Sequence, residues 1–451
     1  MGTYEDLKFA KRIWIWGMGE LITHWIWNVD PCLPIVGICD SDLSKMGKSL
    51  EIRENRRLIC YSPEEIKFGD GVIIAIDNEN SVKEIERTLE KNQIACCHLF
   101  DAVQRYYSLL EEKINFDNER EKSNKVVKFI DCLVPIGKCN LRCSYCYLNE
   151  VEKFKDRMVI WPSAKVVRKS LSRERLGGTA FINLCGDGET MLYDGLTALI
   201  CELIKEGHYV QVVTNVTITS AVEQLIESQV DFTHLFIKCS LQYLELKHKN
   251  MLGIFSSNVK KLEEKGCSIS IEVTPHDELI PYINELKDFS MKEFGALPHI
   301  TTARNEQTEN FELLTELSRE EYQCIWGQFD SPMFDFKIMN IGVPRMNQDC
   351  MAGKWSLKLD LATGELLQCP FHKTIDFIYS NIEQSINLEK VGKKCLLPYC
   401  YNCHAYLTWG TIEEVESPTY LEMRDRMTIE GKHWIGKEMR KVMSQKLFDN
   451  N

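Results

Sequence analysis

An α/β protein is what this sequence predicts, built from a short run of strand–helix alternation, a longer run with six such units, and a cysteine-rich region. Three observations carry that prediction. Apolar stretches rich in Val, Ile and Phe are each followed by a helical pattern, first over residues 9–100 and again from 126 to 304. The alternation is interrupted by "DNEREKSNKV" at 117–126, which is charged and aperiodic and marks a linker. It stops near Asn340, where Cys350, Cys369, Cys395, Cys400 and Cys403 follow one another.

The first run assigns a domain to residues 1–116. "RIWIW" is a strand, "GMGE" a glycine turn, and "LITHWIW" the start of a helix. "LPIVGICDSD" is a second strand ending in acidic residues. "GVIIAI" is a third, followed by the amphipathic "NENSVKEIERTLEKN", and "IACCHLFDA" is a fourth. Strands separated by helices make a parallel, Rossmann-like sheet. Gly17 and Gly19 after a strand, with Asp40 ending the next, resemble the dinucleotide fingerprint G-x-G-x-x-G with its distant acid, although Ile22 stands where the third glycine belongs. The order of these segments also resembles small Rossmann-like modules of sugar- and polysaccharide-modifying proteins. That implies a nucleotide, sugar-nucleotide or carrier site, or a docking scaffold.

The second run assigns residues 125–335 to a partial (β/α)6, TIM-like barrel. Its strands are "VVKFIDCLVP", "AFINLCG", "VQVVTNVT", "LFIKCSL", "SISIEVTP" and "PHITTAR". Between them lie helical patterns such as "GLTALICELIKEG", "SAVEQLIESQ" and "SSNVKKLEEKG". Residues 340–451 form the third region, with its cysteines and a tail that reads as helices.

Composition narrows the function. The 451 residues are 44% hydrophobic, 27% charged and carry a net charge of -12. An acidic chain with no basic tract argues against nucleic acid as a partner. No run of eighteen apolar residues predicts a membrane span, and the first twenty residues lack a signal-peptide pattern. A cytoplasmic protein with reduced thiols is expected. Of its nineteen cysteines, clustered ones then point to metal or redox work, and scattered ones to core packing.

The densest cluster is "KCNLRCSYC", with Cys139, Cys143 and Cys146 at spacing C-x3-C-x2-C after the first barrel strand. Three thiolates without a nearby fourth ligand leave one metal position open, on zinc or on an iron–sulfur cluster. The loop falls at the C-terminal mouth, where barrel active sites sit. "CNLRCSYC" resembles the signature of the radical S-adenosylmethionine (SAM) superfamily. The resemblance implies that Cys139, Cys143 and Cys146 hold three irons of a [4Fe–4S] cluster, with SAM on the fourth. Tyr145 would lie beside the adenine. "NLCGDGETML" resembles the family's Gly-Gly-Glu motif for the SAM amino group, giving Gly186, Gly188 and Glu189, with Asp187 in place of the second glycine. "VVTNVT" resembles its Thr-Asn-Gly stretch, giving Asn215, with Val216 departing from it. Ser240 in "IKCSLQYLEL" matches the serine that contacts the SAM ribose.

The late cysteines follow a C-x13-G-x4-C pattern from Cys350 to Cys369, with Gly364 in a hairpin turn "ATGE". "CYNC" adds Cys400 and Cys403. This resembles the SPASM/twitch extension of many radical SAM enzymes and implies one auxiliary [4Fe–4S] cluster on Cys350, Cys369, Cys400 and Cys403. Cys395 is left over, and a structural zinc ribbon has the same spacing.

What the resemblance implies is an oxidoreductase-type enzyme. It would cleave SAM reductively to a 5′-deoxyadenosyl radical, abstract hydrogen from substrate, and pass the substrate electron to the auxiliary cluster. A flavodoxin or ferredoxin would donate the first electron. Dehydrogenation of a sugar-like or nucleotide-linked small molecule is the leading expectation, because no winged-helix peptide-recognition domain is legible. A peptide maturase is the alternative, and a non-catalytic iron–sulfur or zinc protein is the rival from another class. Glu272, Thr274 and Arg304 are placed to face the site. Cys185, Cys239 and Cys267 lie on or beside strands, as core residues or as a hydrogen donor.

Overall fold

In the computed structural model the described residues are 3–52, 56–114, 123–146, 159–305, 308, 312–370, 373–390, 393–395, 397, 399–400 and 403–451. Residues 115–122, most of the expected linker, lie outside them. So does the side chain of Cys403, although the residue opens the helix Cys403–Tyr406.

The N-terminal sheet has six strands: β1 (Ile13–Trp16), β2 (Ile35–Cys39), β3 (Ser49–Ile52), β4 (Arg56–Tyr61), β5 (Gly71–Ile74) and β6 (Ala95–His98). Their order is β3-β4-β2-β1-β5-β6, and all pairs except β3–β4 are parallel. Two strands, β3 and β4, escape the sequence pattern. β3 is the sheet edge and β4 lies between it and β2; apolar residues alternate with exposed ones along β4, so Leu58 and Cys60 point in while Arg57, Ile59 and Tyr61 point out.

The second sheet has nine strands. Six are the barrel: β7 (Val126–Val134), β8 (Thr179–Gly186), β9 (Tyr209–Thr214), β10 (Leu235–Ser240), β11 (Ser268–Val273) and the two-residue β12 (His299–Ile300), all parallel in sequence order. After β13 (Asp349–Cys350), the region beyond residue 340 continues the same sheet. Its β14 (Ser356–Asp360) pairs parallel with β7, and β15 (Glu365–Leu367) and β16 (Thr374–Phe377) extend it antiparallel. The β14–β15 turn holds Gly364 at φ +73°, as the "ATGE" pattern predicts.

Period-2 alternation sorts the barrel strands into layers. Ile130, Cys132, Ile182, Leu184, Val210, Val212, Ile237 and Cys239 pack against the helices. On the other face, Phe129, Phe181, Tyr209 and Phe236 pack on Tyr406, Trp409, Tyr420 and Met439. Two residues further along each strand stands a polar layer. Lys358 pairs with Asp131 at 3.2 Å, Asp131 accepts from Asn183, Asn183 from Gln211, and Gln211 from Tyr420. Arg424 lies 3.8 Å from the Tyr420 ring and 3.3 Å from Glu272, which pairs with Lys238 at 3.0 Å. One step further, Cys185, Val213, Ser240 and Thr274 reach the mouth.

The tail explains Tyr420 and Arg424, and it departs from the expected helices. Only Lys437–Met443 forms an α-helix, with a 3-10 turn at Leu447–Asp449. The preceding segment runs back along the barrel floor. Trp434 accepts from Ile269 N, and Gly436 N donates to Ser268 Oγ at 3.0 Å. Tertiary packing overrides local propensity there. The N-terminal sheet is joined to the rest through Trp27, stacked on Phe377 with centroids 4.5 Å apart, and through Asn28, which donates to Thr363 O at 2.8 Å. Tyr106 and Tyr107 donate to backbone carbonyls of Ser380 and Ala362. Among the described residues no helix is long and apolar enough to cross a membrane.

Candidate active site

The loop after β7 carries the three cysteines and is clamped by the loops that follow the next strands. Gly137 N donates to Asp187 Oδ1 at 2.7 Å, and Glu189 N to Lys138 O at 2.9 Å. Asn140 donates to Thr217 Oγ1 and accepts from Asn215 Nδ2 at 2.8 Å. Arg142 N donates to Glu245, and Ser144 Oγ to Glu278, both at 2.9 Å. Asp187, which departs from the expected glycine, therefore anchors the cysteine loop. Gly188 is obligatory, because a Cβ there would lie 2.0 Å from Lys138 O. Val216 takes a left-handed conformation, φ +54°, at the point where the resembled motif has glycine, and a β-branched side chain adopts that only under strain.

A cavity of about 300 Å³ opens at this mouth. Cys139, Cys143, Cys146, Tyr145, Gly186, Gly188, Glu189, Asn215 and Ser240 all line it. Tyr145 donates to Gln242 and lies with its ring 4.1 Å from that of His276. The Glu189 carboxylate is buried and accepts from Thr214 Oγ1, Met191 N and Asn215 N. Burial pushes its pKa up, against those three donors. A carboxylate has room for about four donors, so one further hydrogen bond remains available to a ligand ammonium.

The donor set fits an iron–sulfur cluster. Burial pushes the Cys139 thiol up to about 11 and Cys143 up to about 12, so binding a metal must displace protons. Leu141 N donates to Cys139 Sγ at 3.4 Å, the kind of contact that tunes cluster sulfurs. Among the described residues no three His, Cys, Asp or Glu side chains converge on one metal ion. A four-iron cluster spreads its three thiolates over three irons and asks for wider spacing than a single zinc.

Further residues line the same cavity: Cys185, Lys238, Gln242, Thr274, Thr301, Thr302, Arg304, Lys337 and His404. Thr274 and Arg304 were legible as mouth residues from strand ends. Glu272 sits one layer below, holding Lys238. Cys239 and Cys267 are fully buried in the wall and do not reach the cavity. Lys337, on the helix Pro332–Asn340, donates to Thr301 Oγ1. Neither it nor His404 belongs to any sequence motif.

The late cysteines gather at a second cavity, lined by Cys350, Cys369, Cys395, Cys400, Tyr399 and Tyr406. Antiparallel pairing of β13 with β17 (Lys393–Lys394) brings Cys395 beside Cys350. A thiol–thiol hydrogen bond lowers the pKa of Cys395 and raises that of Cys350. Cys395, left over in the sequence pattern, stands with three of the four expected ligands. In the N-terminal sheet, Asp40 accepts from Met18 N at 2.8 Å and Asp42 N at 2.9 Å and pairs with Lys45 at 2.8 Å. The expected nucleotide-binding acid is engaged by its own loop.

Residues 133–273 match the family model described as Radical SAM superfamily. No curated protein matches the chain. Among solved structures, SuiB of Streptococcus suis bound to S-adenosylmethionine is similar at 17% identity and a TM-score of 0.40, over 66% of this chain and 74% of that one. "Native anSMEcpe with bound AdoMet" is similar at 14% identity and a TM-score of 0.39, over 56% and 78%. A barrel with three cysteines at its mouth is the class that fold and site define. Residues 133–273 are a radical SAM superfamily domain, a class of enzyme whose cofactors are a [4Fe–4S] cluster and SAM.

Proposed function

We propose that this enzyme abstracts hydrogen from a small, sugar-like molecule held in the mouth cavity and completes a two-electron dehydrogenation. One observation supports this above others: the three-cysteine loop and the residues of all three SAM-binding motifs line a single cavity of about 300 Å³, within the usual range of small-ligand sites. Cys139, Cys143 and Cys146 hold the cluster. Glu189 receives the SAM ammonium, Asn215 locks the cysteine loop to the end of β9, and Ser240 and Tyr145 flank the nucleoside. When bound, the cluster and SAM together supply a 5′-deoxyadenosyl radical. This chain's residues orient the substrate C–H bond and exclude water. Cys350, Cys369 and Cys400, with Cys395 or Cys403, would hold an auxiliary cluster, which would supply an electron acceptor for the oxidation. The N-terminal domain serves as a brace: Asn28 and Tyr107 grip the β14–β15 turn, between Cys350 and Cys369, while Trp27 and Tyr106 grip the end of β16 and the residues after it.

The test is anaerobic reconstitution of wild type beside a Cys139/Cys143/Cys146 triple-Ala variant. Iron should fall from about eight to about four atoms per chain, and 5′-deoxyadenosine formation should vanish. Persistent SAM cleavage by the variant would overturn the site. Oxidised sugar derivatives among the products support the reading, whereas a crosslinked or epimerised peptide makes the enzyme a peptide maturase.

A further inference from the structure

We infer that the Tyr406 hydroxyl donates a hydrogen bond to a sulfur of the auxiliary iron–sulfur cluster and raises its reduction potential, a role that rests on the auxiliary cluster proposed above and suits that cluster to accept electrons.

Three observations converge. First, Tyr406 lines the second cavity together with Cys350, Cys369, Cys395 and Cys400. Ala352, Leu397 and Ile412 give that cavity apolar walls. Thr411, which also lines it, already donates its hydroxyl to Ser356 Oγ at 3.0 Å. Second, Tyr406 is buried, and its hydroxyl is shut off from solvent and makes no hydrogen bond among the described residues. Buried phenols usually find a partner, so an orphaned one marks a position at which a ligand atom is expected. Third, the phenol is held in place. It stands on the helix Cys403–Tyr406, its backbone carbonyl accepts from Thr411 N at 2.9 Å, and its ring meets the Phe129 ring edge-on with centroids 5.9 Å apart. Trp409 and Met439 belong to the same packed layer and keep the ring inside the protein.

Phenylalanine would fill this aromatic position equally well, and only the oxygen asks for an acceptor. The thiolates and sulfides of an iron–sulfur cluster are acceptors, and a phenol is a donor. Reduction adds negative charge to those sulfurs. A hydrogen bond strengthens with the charge of its acceptor, so the contact favours the reduced state and moves the potential upward. Apolar walls leave few other groups to offset that charge, and a single hydroxyl then counts for more.

The experiment is a potentiometric titration followed by electron paramagnetic resonance. It uses the reconstituted full-length Cys139/Cys143/Cys146 triple-Ala chain, so that the auxiliary signal stands alone, with and without Tyr406→Phe. Both chains should hold about four irons. The midpoint of the Tyr406→Phe chain should fall by the equivalent of about tenfold in the oxidised-to-reduced ratio, about 59 mV for a one-electron couple. The same downward shift should appear in the auxiliary signal of the reconstituted enzyme with all its cysteines. Electron–nuclear double resonance in heavy water should lose the signal of an exchangeable deuteron near the reduced cluster, and circular dichroism checks that each chain is folded. An unchanged or higher midpoint, with the irons retained, overturns the hydrogen bond and leaves the auxiliary cluster standing. Loss of iron caused by Tyr406→Phe overturns it as well, because the contact sets a potential and supplies no ligand. Absence of iron from the triple-Ala chain itself strikes the auxiliary cluster, and the hydrogen bond with it.

Discussion

Glu272→Gln tests whether the polar layer inside the barrel works as one unit. Glu272 is 4% exposed, with Lys238 Nζ at 3.0 Å and Arg424 Nε at 3.3 Å. At an effective dielectric of ~20, charges at such separations attract by about 5 kcal/mol per pair. Desolvation of three buried ions takes back much of this, so the intact triad has modest net worth. Glutamine is nearly isosteric but uncharged. It leaves Arg424, 1% exposed, and Lys238 sharing the barrel interior without their anion. Breaking a buried pair in this way costs about 3–5 kcal/mol. The assay is urea unfolding of the reconstituted enzyme, followed by tryptophan fluorescence, with Arg424→Met and the double variant completing a cycle. The double variant should recover part of the loss, because removing Arg424 removes the stranded charge. A coupling energy of about 2 kcal/mol or more is expected. A loss below about 1 kcal/mol for Glu272→Gln, or a coupling near zero, would refute the reasoning.

Gly364→Ala places a methyl 2.4 Å from the Tyr379 ring at a φ of +73°; overpacking and left-handed strain together should cost about 3 kcal/mol in the same unfolding assay. His208 is fully buried, accepts from Ala180 N at Nδ1 and donates to Leu171 O from Nε2, and burial holds its pKa down to about 4. Its folded value lies below the ordinary value near 6.5, so its stabilising effect is complete above pH 6.5 and is lost as pH falls toward 4. The loss amounts to about 3 kcal/mol, and a His208→Gln variant should flatten that part of the stability–pH curve. Cys395→Ala and Cys403→Ala, compared by iron analysis and electron paramagnetic resonance, should differ: the variant lacking a true ligand should lose about four irons per chain, and the other should keep them.

Much of the architecture was legible because it depends on short-range periodicity. Apolar runs separated by helical patterns marked β7 to β11 within three residues, and the cysteine spacing marked the mouth loop without any knowledge of packing. The edge strand β3 and its neighbour β4 were not legible, because one solvated face makes a strand look polar. Asp187 and Val216 appeared as defects in motifs. Asp187 instead anchors the cysteine loop through Gly137 N, and Val216 holds a glycine-like conformation without glycine.

The sequence by itself determined the chemistry: three thiols at fixed spacing, a Gly-x-Gly-Glu turn after the second barrel strand, and cysteines late in the chain. Those features are local, and residue type with spacing carries them. Only the tertiary structure decided which distant residues share a cavity. Lys337 and His404 reach the mouth because two short helices pack together, Cys395 reaches Cys350 because β13 pairs with β17, and Tyr420 and Arg424 enter the barrel because the tail abandons helix to close its floor. Each of these contacts is made between segments far apart in the chain, where burial and charge pairing outweigh the local propensity a sequence displays.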